Sequence, residues 1–181
     1  GEKVIRFDLK HDKREDGRFY KFDFKNIDKV CLLAWDVGGA KYLYEPKLQI
    51  SQLKWNLQLM VNILQQLERQ KKDFVFISSQ LAEECDTVYG VTKRLGEVWT
   101  SLLNGVSVRA WNVYGVLEEQ SIKSHVISDF INQSLLTGKI KMMTNGEEWR
   151  QFIHISDLCN AFYLASYSYD GSVGKLFMGK L

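Results

Sequence analysis

Short apolar runs alternate with long stretches of helical period along most of this chain, and that alternation constrains its fold more than any other feature. Val30-Cys31-Leu32-Leu33-Ala34-Trp35 is a continuous apolar run of the kind found in strands covered on both faces, and it stops at Gly38-Gly39. Phe74-Val75-Phe76-Ile77 is a second such run, breaking into Ser78-Ser79, and Ser107-Val108-Arg109-Ala110-Trp111 is a third. Between the first two, Leu53, Leu57, Met60, Val61, Leu64 and Leu67 recur at spacings of three and four behind Pro46, which predicts a helix over about 46–70. Val88, Val91, Leu95, Trp99 and Leu102 lie on one stripe of a second predicted helix over 88–103, and Val126, Ile127, Phe130, Ile131 and Leu135 predict a third over 125–137. Strands alternating with helices of this length imply an α/β fold, a mostly parallel sheet with helices on both faces.

The two ends extend this pattern. Val4-Ile5-Arg6-Phe7 reads as a strand ending on Asp8. After Gly138 the spacing shortens: strands at Ile140 to Met143 and Gln151 to Ile155 flank a turn at Asn145-Gly146, then come a helix from Asp157 and a last strand near Leu176-Phe177. This region reads as a smaller appended lobe.

Composition narrows the function. Lys+Arg 24 against Asp+Glu 22 leaves too little positive charge to neutralise a run of phosphates, so nucleic acid is not the expected partner. No stretch approaches the roughly 18 uncharged apolar residues of a membrane span, and GEKVIRFDLKHDK has no apolar signal core, so a cytoplasmic protein is expected. Cys31, Cys85 and Cys159 are odd in number and far apart, with no Cys-x-x-Cys pair, which argues against a disulfide framework or a metal site.

The sharpest chemical signal is Ser78-Ser79 at a strand end followed by Tyr89-Gly-Val-Thr-Lys93 at a helix start. Positions i and i+4 share a helical face, so the Tyr89 hydroxyl and the Lys93 ammonium can approach one point. An ammonium there favours phenolate and pulls the tyrosine below its usual value of about 10, as a proton-transfer group requires. It is the only Tyr-x-x-x-Lys in the sequence.

At these residues the chain resembles the extended short-chain dehydrogenase/reductase family, the NAD-dependent epimerases and dehydratases of nucleotide sugars. Phe-Ile-Ser78-Ser79 resembles the family's strand carrying a catalytic Ser or Thr, and Tyr89-Gly-Val-Thr-Lys93-Arg-Leu-Gly-Glu97 its Tyr-Gly-x-Ser/Thr-Lys helix. Arg109-Ala-Trp-Asn112-Val-Tyr114-Gly115 is similar to its Arg-x-x-Asn-x-Tyr-Gly segment, and Gly146-Glu-Glu-Trp-Arg150-Gln-Phe-Ile-His-Ile-Ser-Asp157 to its Gly-x-x-x-Arg-Asp-Phe-Ile-x-Val-x-Asp segment. The resemblance implies a Rossmann-like domain over 1–120, interleaved with part of a substrate lobe over 121–181. It implies Ser79, Tyr89 and Lys93 as catalytic residues, and Asn112 and Arg150 as substrate-binding residues, the arginine on a diphosphate. It further implies NAD, rather than NADP, held by Asp8, Asp23, Phe24, Leu33, Ala34, Tyr89 and Lys93. The helices 46–70 and 88–103 carry more apolar surface than one sheet face should cover, Trp55, Trp99 and Leu103 included, so a homodimer built on them is expected, as in proteins this one resembles.

The chain also departs from the family. The glycine-rich turn that holds a dinucleotide pyrophosphate is not in these 181 residues, since Gly1 precedes what aligns with the second strand. The expectation is therefore an incomplete dinucleotide domain that binds NAD weakly or not at all. Gln80-Leu81 stands where sugar 4,6-dehydratases carry an acidic pair, which argues against dehydration of that kind. The leading expectation is an oxidoreductase-type epimerase or reductase of a nucleotide-linked sugar. The alternative is a catalytically silent relative serving as a nucleotide-binding or protein-interaction module.

Overall fold

The computed structural model describes residues 3–115, 119 and 121–167, and the backbone of 176–177. In chain order, strand β1 (Lys29–Leu32) is followed by a one-turn helix α1 (Ala40–Leu43), the long helix α2 (Gln49–Gln70) and strand β2 (Asp73–Ser79). Helix α3 (Leu81–Glu84), helix α4 (Val88–Leu102) and strands β3 (Val106–Ala110) and β4 (Asn112–Tyr114) come next. Helix α5 (Val126–Thr137), strand β5 (Phe152–His154), helix α6 (Ile155–Tyr167) and strand β6 (Leu176–Phe177) complete the described elements. None of these helices is long and apolar enough to cross a membrane.

Strands β1, β2, β3 and β6 form one parallel sheet in that order, with Val30 opposite Phe74 and Val75 opposite Val106. Strands β4 and β5 pair in a second, two-stranded parallel sheet. Because side chains alternate across a strand, β2 feeds two cores. Phe74 and Phe76 pack with Leu59, Met60, Ile63, Leu64 and Leu67 of α2, while Val75 joins Val108, Ala110, Leu158, Phe162 and Ala165 on the α6 face. The expected parallel sheet with helices on both faces is thus present.

Helix α2 forms where the periodicity predicts it. Pro46 opens a turn of 3-10 helix whose preceding Glu45 carboxylate accepts from the Lys47 amide, and the helix ends at Lys71 in the left-handed region.

Four expectations are corrected. Residues 4–7 form no strand: Val4 and Ile5 are exposed, and no described strand lies beside them to complete a backbone ladder. Phe7 packs instead against Tyr20 and Phe22, ring centroids 4.6 and 4.8 Å away. Strand β1 stops at Leu32, short of Trp35. Ile140 to Met143 form no strand either, because the amide of Lys141 bonds the Gln133 side chain (2.7 Å) and the Lys139 carbonyl bonds Thr137 (3.0 Å), tying the segment to the end of α5.

The fourth correction concerns the outer surfaces of α2 and α4. Its apolar residues Val91, Leu95, Val98 and Leu102 lie on the exposed face, while Tyr89, Thr92, Lys93, Gly96, Glu97 and Thr100 face inward. The helical period is as predicted, and the inward face is polar because its residues have partners on β2 and β3. The tryptophans and leucine expected to add to this exposed surface do not. Trp99 and Leu103 pack on the α2 core, and Trp55 is covered by the Arg18 guanidinium at 3.3 Å.

Candidate active site

Helix α4 begins beside the carboxyl end of β2. Thr87 caps it by accepting from the Gly90 amide (3.0 Å), which fixes Tyr89 in the first turn and Lys93 one turn on. Ser79 ends β2, and its Oγ accepts from the Leu81 amide (3.3 Å). The three residues are neighbours: the Ser79 hydroxyl stands close enough to the Tyr89 phenol to ease its ionisation, and the Lys93 ammonium lies 5.7 Å from the Tyr89 ring centroid. Lys93 is fully buried, donates to the Ile77 carbonyl (2.5 Å), and lies over Trp35 and Phe76 at 4.4 and 4.7 Å from their ring centroids.

Burial dominates the electrostatics here. Desolvation pushes the Tyr89 phenol up to about 12 against the opposing pull of Ser79, rather than toward neutrality as the Lys93 spacing suggested. Desolvation also drives Lys93 well below its ordinary value, against the pull of Glu97. Since Tyr89 holds its proton in the folded state up to about pH 12 while an unfolded tyrosine releases it near 10, this residue withdraws stability as pH rises between those values. Urea unfolding of Tyr89→Phe should therefore show a smaller loss of stability from pH 10 to 12 than the parent protein; equal losses would refute the burial.

Beneath the site, Glu97 joins three elements. Its carboxylate binds Arg109 of β3 through two bonds (2.6 and 2.8 Å), accepts from Ser78 of β2 (2.7 Å), and pairs with Arg94 at 3.1 Å. Both Glu97 and Arg109 are buried. Burial alone would raise the Glu97 carboxyl, and the bonds from Arg109 and Ser78 hold it below its ordinary value instead. Ser78, Glu97 and Arg109 were not among the expected site residues. The signal that could have found them is an acidic residue at i+4 from Lys93, on the face that must pack against the sheet.

The remaining candidates are scattered. Asp8 lies in an exposed turn, its carboxylate accepting from the Lys10 amide (2.9 Å), and exposed Asp23 does the same for Lys25 (2.9 Å). Phe24 is a core residue, stacked on Phe22 at 5.3 Å. Leu33 and Ala34 are exposed just past β1 and precede Trp35, which packs with the Tyr42, Leu43 and Tyr89 cluster. Asn112 donates to the Gln151 carbonyl (2.9 Å), which sets it beside the Arg150 segment, and Arg150 itself is exposed.

The profile of the NAD-dependent epimerase/dehydratase family matches residues 20–177. No curated protein matches the chain. Among solved structures it is similar to UDP-glucose 4-epimerase from Thermotoga maritima, crystallised with UDP-glucose, at 20% identity and a TM-score of 0.65, over 76% of this chain and 51% of that one. It is likewise similar to an epimerase from Methanothermobacter thermautotrophicus (22% identity, TM-score 0.68, 84% of this chain and 52% of that one). A third is ADP-L-glycero-D-manno-heptose-6-epimerase from Helicobacter pylori (19% identity, TM-score 0.64, 82% and 52%). The chain therefore spans about half the length of each of these proteins.

Proposed function

Since this chain belongs to the NAD-dependent epimerase/dehydratase family, we propose that it carries the acid–base half of an oxidoreductase-type epimerase or reductase site for a nucleotide-linked sugar. The observation that supports this most is the convergence of Ser79, Tyr89 and Lys93 at the carboxyl end of β2, the edge at which open α/β sheets bind ligands. In this reading the Tyr89 hydroxyl exchanges a proton with a sugar hydroxyl, Ser79 bonds the reacting oxygen, and Lys93 supports the phenol from the next turn. A bound nicotinamide supplies the hydride acceptor and donor. The exposed Leu33–Ala34 ledge beside Trp35 fits its nicotinamide end, and Asp8 and Asp23 remain available to ribose hydroxyls, whereas Phe24, in the core, does not fit a cofactor contact. NAD rather than NADP follows from those carboxylates, which would repel a 2′-phosphate. Gln80 has no proton to give as an acid, which supports epimerisation or reduction over dehydration.

The exposed stripe Val91, Leu95, Val98 and Leu102 supports a homodimer built on α4 and its neighbour α2. A second reading, a silent nucleotide-binding or protein-interaction relative, draws support from the burial of Tyr89 and from the engagement of Lys93 with a backbone carbonyl.

Arg150 is proposed to meet the diphosphate of the sugar nucleotide, a doubly charged partner suited to a guanidinium. Calorimetric titration should then find Arg150→Ala binding UDP-glucose roughly tenfold to a hundredfold more weakly, with binding of free glucose unaltered. Equal losses for the two ligands would remove the diphosphate assignment.

A further inference from the structure

The Tyr89 hydroxyl, on which that reading rests, is covered. The side chain is only 7% exposed because Tyr42 and Leu43 pack with it in one buried cluster. Residues 36–44 form this cover and are anchored at both ends on α2. The Asp36 amide donates to Asn56 (2.7 Å), Asn56 returns a bond to the Asp36 carbonyl (3.2 Å), and Gln49 donates to the Leu43 carbonyl (2.8 Å).

Across from α2, the same residues are fastened to 121–129. The Lys123 ammonium pairs with Asp36 (2.6 Å) and lies 4.3 Å from the Tyr42 ring centroid, while the Tyr42 hydroxyl donates to the other Asp36 oxygen (2.6 Å). The Gly39 amide donates to the Lys123 carbonyl (2.9 Å), and Lys41 pairs with Asp129 (2.8 Å). A Cβ on Gly39 would lie 2.1 Å from the Ser124 carbonyl oxygen, so the close approach of the two segments requires glycine there.

We propose that residues 36–44 are a strap that the 121–129 segment latches shut over Tyr89, so that a ligand reaches this phenol only when the Lys123–Asp36 and Lys41–Asp129 pairs open. The lysines of both pairs are about half exposed, so each pair exchanges with water and is weakened by salt, whereas the anchors on Asn56 are buried. Opening therefore separates the strap from 121–129 while its attachment to α2 persists. The consequence for catalysis rests on the proposed role of Tyr89; the closure itself can be read without turnover.

Nitration by tetranitromethane, mapped by peptide mass spectrometry, measures it, with exposed Tyr163 as the internal reference. In the parent protein Tyr89 should react far more slowly than Tyr163. Lys123→Met should raise the Tyr89 rate about fivefold, and Gly39→Ala, which forces the segments apart sterically, should raise it at least as much. Amide exchange in β2 and β3 should stay protected in both variants. The proposal falls if Tyr89 reacts as fast as Tyr163 in the parent, if neither variant changes its rate, or if a rise comes only with loss of protection in β2 and β3. Protection of Tyr89 together with unimpaired turnover in Tyr89→Phe would leave the strap standing and refute the catalytic role instead.

Discussion

Arg109→Met should lower the unfolding free energy by about 3 kcal/mol, because it strands the Glu97 carboxylate in the interior. In the native protein that carboxylate receives two bonds from Arg109 and one from Ser78. After the substitution Ser78 and the half-exposed Arg94 remain, and one guanidinium at 3.1 Å does not replace a bidentate partner. Glu83 adds little to this account, since its pair with Arg109 is largely in water. The double variant Glu97→Met, Arg109→Met should be less damaging than either single change, because an apolar pair of similar volume carries no desolvation cost. Urea unfolding of the three variants measures this. Losses below about 1 kcal/mol in both single variants would mean that the pair is hydrated rather than buried.

The same pair determines where the candidate site sits. Glu97 ties α4 to both β2 and β3 one turn beyond Lys93, so the helix cannot slide along the sheet without breaking three bonds. Gly96 allows the approach, since a Cβ there would stand 2.7 Å from the Phe76 ring. The positions of Tyr89 and Lys93 relative to Ser79 thus follow from a polar helix–sheet contact rather than an apolar one.

That contact explains why some of this protein was legible in its sequence and some was not. Strands β2 and β3 and helices α2, α4 and α5 announce themselves, because a buried parallel strand is an unbroken apolar run and a long helix repeats its pattern over many turns. The phase of α4 was not readable. Periodicity assigns the apolar stripe to the core, and here Val91, Leu95, Val98 and Leu102 lie outside while Lys93 and Glu97 lie inside with partners that only the folded sheet supplies. Residues 4–7 and 140–143 failed for a related reason: a strand exists only where another strand lies beside it, and local pattern carries no information about neighbours. Among the candidate residues, Ser79, Tyr89 and Lys93 were singled out by spacing and motif together, and the fold makes them neighbours. The cover over Tyr89 was not, because it depends on Gly39, Lys41 and Lys123, which are ordinary loop residues until the chain folds.

The phenolic oxygen of Tyr89 is the atom on which the proposed chemistry depends, and Tyr89→Phe removes that atom while leaving the ring packed under Tyr42 and Leu43. A positioned acid–base group contributes roughly a hundredfold or more to rate. The most direct measurement is therefore turnover of nucleotide sugars, UDP-glucose first, in the presence of NAD, followed by NMR of the sugar carbons and compared between the parent protein and Tyr89→Phe at equal unfolding midpoint. In a form of the protein that binds NAD and turns over a nucleotide sugar, the prediction is a rate lower by about 100-fold or more in the variant, with Lys93→Met impaired similarly. Equal rates for that form and its Tyr89→Phe variant would contradict it.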